Sequence, residues 1–373
     1  MSDSNSQKQL ILDSTKLAWH CDKVKDWHSG KKIAPITIDC ALTSNCTYAC
    51  TYCYGKLQCM STGYLPREVV MQLLDDAAEI GVKAMSFVSD GESTCSPYLY
   101  EAITYGKQKG IDMALGTNGY LLQDDKLEEI LPCLTYLRFN ISSGTVEGYK
   151  KIHGVAEKCY YKVLETIRKA VAIKKAANLD VTIGLQMVLM PEFADEIMPL
   201  AELGKELGVD YLVIKHCSDD ENSSLGVNYD KYPALAPLLH QAEALSTDTY
   251  LVQAKWSKIM SGGKRKYSKC FGPQFILQIS GSGVVAPCGM LFNEQYKQFH
   301  IGNICEKSLL ELWKSDRWDE VMQSISGPGF DARTDCGSLC LQHKVNEVLW
   351  AIHETGEQIS QPEGEPPMHI NFI

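Results

Sequence analysis

From Ile33 to Lys215 the chain repeats one pattern, an apolar strand, a loop and an amphipathic helix, and that repeat narrows the fold more than any other feature. Strands are expected at 36–42, 84–88, 113–116, 136–141, 181–190 and 211–215, with helices at 66–80, 98–110, 124–131, 163–177 and 194–207 between them. The 66–80 segment shows the logic best. Val69, Met71, Leu73, Leu74, Ala77 and Ile80 recur at helical spacing, and Gly81 ends the run. Strands alternating with helices of roughly 10–15 residues imply parallel β–α units. Six units before residue 220 predict an α/β fold, a partial (β/α)6 TIM-like barrel rather than a full one. Chemistry on such barrels gathers at the C-terminal strand ends.

The first strand ends in a cysteine loop. Cys46, Cys50 and Cys53 form Cys-x3-Cys-x2-Cys, with Tyr52 just before the last thiol. Three thiolates on one short loop make a poor structural zinc site, which usually takes four ligands. They suit an iron–sulfur cubane better, and a loop supplying only three leaves one iron open to chelate a small molecule. Spacing and Tyr52 together resemble the radical S-adenosylmethionine (radical SAM) superfamily. The resemblance implies a 4Fe-4S cluster on these cysteines whose open iron holds the amino and carboxylate groups of S-adenosylmethionine (SAM). It also implies an external one-electron reductant such as flavodoxin or ferredoxin, and a 5′-deoxyadenosyl radical that takes hydrogen from a C–H bond.

Later strand ends carry further matches. Ser89-Asp90-Gly91-Glu92-Ser93 stands where the superfamily usually has Gly-Gly-Glu-Pro, so Gly91 and Glu92 are expected beside the methionine amino group, while Asp90 and Ser93 depart from the pattern. Thr117-Asn118-Gly119 ends the third strand and resembles a segment lining the SAM side, although Asn-Gly alone also makes a tight turn. On the fourth strand Asn140 and Ser142 are cofactor candidates, Ser142 for the ribose, with Gln186 on the fifth. Lys215, His216 and Cys217 end the sixth strand and are the candidates for catalytic contacts. Cys95 is a second thiol at a strand end, and Cys40 and Cys133 read as small buried residues.

A second cysteine set follows. Cys270-x12-Gly283-x4-Cys288 is followed by a Trp-bearing segment expected to be one helix, 308–324, and then Cys336-x3-Cys340. This resembles the SPASM/twitch extension of radical SAM enzymes in its shortened form, with one auxiliary 4Fe-4S cluster on Cys270, Cys288, Cys336 and Cys340. Cys305 is the alternative ligand, and a four-cysteine zinc site is the competing assignment. Four thiolates leave no open iron, so such a cluster would move electrons rather than bind substrate.

At 373 residues and 45% hydrophobic, the chain can bury a large core. The expected division is an N-terminal extension, 1–32; the partial barrel, 33–264; a small β-hairpin and helix iron–sulfur domain, 265–348; and an extended tail, 349–373. Net charge is −10, and the nearest approach to a basic patch is Lys264, Arg265, Lys266 and Lys269. That argues against nucleic acid as the partner. The polar N-terminus and the absence of long apolar runs argue against a membrane and point to the cytoplasm. Clustered rather than scattered cysteines among the 15 favour metal over disulfides. The function expected is a radical SAM oxidoreductase that dehydrogenates a small polar molecule such as a sugar or aminocyclitol. Residues 1–32 are few for a peptide-recognition domain; a peptide- or protein-modifying maturase, or redox-neutral elimination or decarboxylation, are the alternatives.

Overall fold

The computed structural model describes residues 9–58 and 63–373; Cys59 and the start of the polar N-terminus lie outside them. Among the described residues ten strands form one sheet: β1 (Thr37–Cys40), β2 (Ala84–Phe87), β3 (Asp112–Thr117), β4 (Leu134–Asn140), β5 (Thr182–Leu189), β6 (Tyr211–His216), β7 (Leu251–Ala254), β8 (Ile276–Ile279), β9 (Val284–Ala286) and β10 (Gly302–Asn303). Their spatial order is β10-β9-β8-β1-β2-β3-β4-β5-β6-β7. Neighbours from β1 to β7 are parallel, as the β–α repeat demands. The six predicted strands are all present. β7 is a seventh that the sequence hid, because it is four residues long and follows a polar loop.

Alternation along each strand separates two environments. Ile38, Cys40, Met85, Phe87, Leu137, Phe139, Leu185 and Ile214 face the helices and are fully buried. The opposite face of the strands is polar, with Asp39, Ser86, Arg138, Asn140, Gln186 and Lys215 turned into the barrel lumen. Asp39 accepts from the Ser86 hydroxyl. Burial pushes its carboxyl from 3.8 up to about 6, against the opposing pull of Ser86, Arg138 and Lys215. The folded state therefore binds this proton more tightly than the unfolded chain. Asp39 favours folding below about pH 4, and that contribution, about 3 kcal/mol, is lost as pH rises through 6. Asp39→Asn is expected to match wild type near pH 3.5 and to be the more stable protein at pH 7. Denaturant titrations at the two pH values check this.

The second cysteine region grows from the same sheet. β8 pairs in parallel with β1, Thr37 opposite Ile276 and Cys40 opposite Ile279, and turns back antiparallel into β9. The hairpin expected at the start of a separate unit thus extends the barrel sheet past β1. The single helix expected at 308–324 is two, Leu309–Lys314 and Asp316–Ser326. Ser315 breaks them by adopting an extended conformation (φ −76°, ψ 152°) and capping the second, its hydroxyl accepting from the Trp318 amide. A helix at His343–Thr355 runs through the boundary expected at 348.

The terminal segments pack on this body. The Cys21–His28 helix sets Trp27 edge-on against Phe271 and Phe275, 5.3 and 5.8 Å between ring centres. The end of the tail seals the barrel floor. Asn371 accepts from Thr37 Oγ1 (2.7 Å) and donates to Asp112 Oδ2 (2.7 Å), His369 meets Thr182 Oγ1 (2.8 Å), and Phe372 lies edge-on to Tyr136 at 4.9 Å. Strand starts leave polar groups and small apolar residues (Ala84, Ala114) that need covering, and the tail meets both needs. Among the described residues no helix is long and apolar enough to cross a membrane.

Candidate cluster and cofactor sites

The loop after β1 carries Cys46, exposed, and Cys50 and Cys53, half-buried. It is fixed from below by a helix the sequence reading missed, Val146–His153. Thr145 caps its start, accepting from the Gly148 amide, and Gly154 ends it with φ +65°. Eight residues with a glycine inside give little periodic signal, which is why helix was expected only from 163; the following helix in fact spans Glu157–Ala176. The last carbonyls of a helix have no partner within it. Here Ile152 and His153 offer theirs to the Thr51 and Ala49 amides, at 2.8 and 3.0 Å. Lys56 then closes the loop on itself by donating to the Ala49 and Cys50 carbonyls.

Two side chains donate to the cysteine sulfurs. His153 is buried, and burial holds its ring well below the usual range, at about 3, so it is neutral. Its Nε2 accepts from the Ser142 amide at 3.1 Å, which places the ring hydrogen on Nδ1, 3.2 Å from Cys50 Sγ. Asn118 Nδ2 stands 3.9 Å from Cys46 Sγ and 3.2 Å from Thr47 Oγ1. Donors to a ligand sulfur stabilise the more negative, reduced state of a cluster. His153→Phe is therefore expected to retain the cluster iron but lower its reduction potential. A redox titration followed by electron paramagnetic resonance reads the shift.

The Gly91 and Glu92 segment is built into the barrel rim. Glu92 is buried; Oε1 accepts from the Thr94 amide and hydroxyl and from Thr117 Oγ1 (2.7 Å), and Oε2 accepts from the Asn118 amide (2.7 Å). Glu92 thereby ties the end of β3 to the loop after β2, and Oε2, with one donor, keeps a lone pair for a ligand. Asp90, the departure from the family pattern, has a clear use. It accepts from Ser280 Oγ (2.7 Å) and the Gly281 amide (3.0 Å), pinning the β8–β9 turn to this loop. Ser142 is buried and its hydroxyl accepts from the Val188 amide, while Tyr52 packs edge-on against His153. Asn140 and Gln186 are paired side by side in the lumen, 3.1 Å apart.

The three residues ending β6 part company. Lys215 enters the lumen. His216 leaves it, its ring between Tyr229 and Tyr232 and its Nδ1 2.6 Å from the Cys217 carbonyl oxygen. Burial keeps that ring neutral, at about 3. Cys217 lies beneath the cluster loop, Sγ 3.8 Å from the Tyr52 carbonyl oxygen, with burial pushing the thiol up to about 12. Cys40 is fully buried as expected; Cys133 is only partly so.

Cys270, Cys288, Cys336 and Cys340 line one closed cavity walled by Tyr267, Leu291, Ile325 and Phe330. Cys305, the alternative ligand, is exposed at the β8–β9 turn and outside this cavity. Burial holds the Cys270 and Cys288 thiols well above the usual range and Cys336 at about 11. Among the described residues no three Cys, His, Asp or Glu side chains converge at the spacing of a single ion. Four sulfurs lining one small cavity, with no oxygen or nitrogen ligand among them, are a donor set that suits an iron–sulfur cubane and that a four-cysteine zinc site shares. The 336–340 loop is held by Arg265, which donates to the carbonyls of Ala332 (3.0 Å), Gly337 and Ser338 (2.5 Å). Ser338 and Asp219 exchange hydrogen bonds through the Asp219 amide and carbonyl, so the acidic 218–228 loop clamps the same segment. In the sequence Arg265 stands out only within the nearest approach to a basic patch. Its place five positions before Cys270 was the available signal.

Residues 41–204 match the radical SAM superfamily, and residues 270–341 match an iron–sulfur cluster-binding domain of the SPASM type. The chain is 26% identical over 335 residues to the AdoMet-dependent heme synthase of Methanosarcina barkeri, covering 84% of this chain and 90% of that protein. It is 23% identical over 314 residues to the tungsten-containing aldehyde ferredoxin oxidoreductase cofactor-modifying protein of Pyrococcus furiosus (79% and 85% covered). It is 25% identical over 288 residues to the PqqA peptide cyclase of Gluconobacter oxydans (75% and 76%). Among solved structures, Streptococcus suis SuiB bound to S-adenosylmethionine shares the fold with a TM-score of 0.64 at 15% identity, over 81% of this chain and 70% of that one.

Proposed function

The chain is a radical SAM protein with a SPASM-type iron–sulfur cluster-binding domain, and from that premise we propose that it removes two hydrogens from a small polar substrate. The observation that carries this reading is the small cavity lined by Cys270, Cys288, Cys336 and Cys340, beside the β8–β9 hairpin that extends the sheet from β1. Cys46, Cys50 and Cys53 would hold the 4Fe-4S cluster and SAM, which together supply a hydrogen-abstracting 5′-deoxyadenosyl radical, and the second cluster supplies an acceptor for one electron. The residues of the chain do the rest. The Ile152 and His153 carbonyls and Lys56 hold the cluster loop in place. Glu92, Thr117 and Asn118 stiffen the rim on the SAM side, and Ser142 and Tyr52 flank His153 beneath the loop. The tail closes the floor, which limits water and stray hydrogen donors in the lumen. Lys215, the candidate left in the lumen at the end of β6, would meet substrate. A flavodoxin or ferredoxin as reductant and a cytoplasmic setting belong to the same reading.

A relative named for peptide cyclisation keeps a peptide-modifying reading in view. The two are separated by anaerobic turnover with reduced protein, SAM and deuterated candidate substrates. Deuterium in 5′-deoxyadenosine, together with a small-molecule product two mass units lighter when the substrate is unlabelled, supports the proposal. A product of unchanged mass, or label arriving only from peptide, overturns it.

A further inference from the structure

The barrel lumen between the tail-sealed floor and the strand ends holds more positive charge than the protein pairs. Arg138 sits mid-strand on β4 with a glycine abreast of it on either side, Gly116 on β3 and Gly184 on β5. A Cβ at Gly116 would lie 3.2 Å from an Arg138 guanidinium nitrogen, and one at Gly184 would strike the Tyr211 ring, so both glycines make the room these side chains occupy. Lys215 projects into the same space from β6. Lys255 follows directly after the Ile214–Ala254 pair, abreast of Lys215 on the neighbouring strand. Although mid-sheet, Arg138, Asn140 and Lys215 keep partial solvent contact while the outward-facing residues beside them have none, so the lumen is open at their level.

Compensating acid is scarce. Asp39 is the carboxylate inside the lumen, and it already accepts from Ser86. Asp13 lies beside Lys255 but accepts from the Ser257 amide and hydroxyl. Among the described residues none of Arg138, Lys215 and Lys255 makes an ion pair, and Arg138 Nε is buried with no hydrogen-bond partner. The Arg138 guanidinium has the Tyr136 ring beneath it at 5.6 Å but no anion. Basic groups gathered without acidic partners disfavour one another's charge, so a protein that keeps several close together has a use for them.

We propose that this part of the lumen binds a substrate carrying two or more anionic oxygen groups, carboxylates or phosphates, held by Arg138, Lys215 and Lys255. The proposal names the substrate class for the radical chemistry above and rests on that reading only for what happens to the substrate once bound. Arg138 offers a planar fork suited to two oxygens of one group, and the lysines offer point charges nearer the strand ends. Burial, with Lys258, Arg138 and Lys255 nearby, holds the Lys215 ammonium well below its usual range, and an arriving anion would restore its charge. Asn140 and Gln186, paired on the same face, supply neutral hydrogen bonds beside the charged groups.

The test uses the full-length, cluster-reconstituted protein with SAM, unreduced, and calorimetric titration with three probes: propane-1,2,3-tricarboxylate, its neutral triamide, and pyrophosphate. The tricarboxylate or pyrophosphate is expected to bind, the triamide not, and Arg138→Gln and Lys215→Met to weaken the anion about tenfold or more each. Whichever anion binds more tightly tells carboxylate from phosphate. Lys215→Met is also expected to unfold at higher denaturant than wild type, since it replaces an amine whose charged form burial disfavours with an apolar chain of similar length. Equal binding of the triamide, no anion binding, no loss in the variants, or a Lys215→Met protein less stable than wild type would each overturn the proposal. If reduced wild type fails to cleave SAM while the anion still binds, the radical reading fails and this one stands.

Discussion

Gly91→Ala is expected to abolish SAM cleavage and to destabilise the protein by about 3 kcal/mol or more. A Cβ at this position would lie 2.0 Å from the Thr43 carbonyl oxygen and 2.9 Å from Ser44 Cα. These are backbone atoms, which cannot swing aside as a flexible side chain would. Nor can the Thr43–Ser44 segment retreat as a unit, because Gly281 presses on its other side: a Cβ there would stand 2.0 Å from the Thr43 carbonyl carbon. The segment leads directly into Cys46, so displacing it moves the first cysteine proposed to hold the cluster. Thermal unfolding and 5′-deoxyadenosine formation measure the two effects. Gly329→Ala is the control, since nothing lies within 4 Å of its added Cβ, and it is expected to change stability by less than about 0.5 kcal/mol.

Arg265→Met is expected to lose the auxiliary iron and keep the iron on the cluster loop. The guanidinium gathers the carbonyls of Ala332, Gly337 and Ser338 around one planar group, and without it those buried acceptors are left without donors. Each orphaned group costs about 1–3 kcal/mol, enough together to unfold a short loop. The charge matters as well, because the Arg265 guanidinium pulls the Cys336 thiol down against the burial that raises it. Lysine is not expected to rescue the site, since a single ammonium cannot span three carbonyls. Iron and sulfide analysis is expected to fall from about eight to about four irons per chain in either variant.

The sequence was most readable where chemistry and periodicity coincide. The strand repeat gave β1 to β6 and their parallel order, and the two cysteine sets marked two places where thiols gather, the second around one cavity, because thiolate spacing is a local property of the chain. What stayed hidden depends on contacts distant in sequence. His153 looks like any histidine near a helix end; only the packing of its helix under the cluster loop brings Nδ1 to Cys50. Asp90 read as a departure from a motif, and its role became visible only with the β8–β9 turn in place, 190 residues away. The tail has no periodicity at all, and its docking follows from what the barrel floor lacks. Lys215 and His216, adjacent in sequence and grouped there as one candidate, point to opposite sides of β6, which is the ordinary consequence of strand alternation.

The central claim is that the chain builds two independent iron–sulfur sites, one on three cysteines and one on four. The direct measurement is iron and sulfide content, with spectra, of the anaerobically reconstituted Cys46→Ala/Cys50→Ala/Cys53→Ala protein beside wild type. Wild type is expected to hold about eight irons and the variant about four, with the cluster spectrum retained and SAM cleavage gone. A variant without iron, or one holding zinc on Cys270, Cys288, Cys336 and Cys340, would contradict the account.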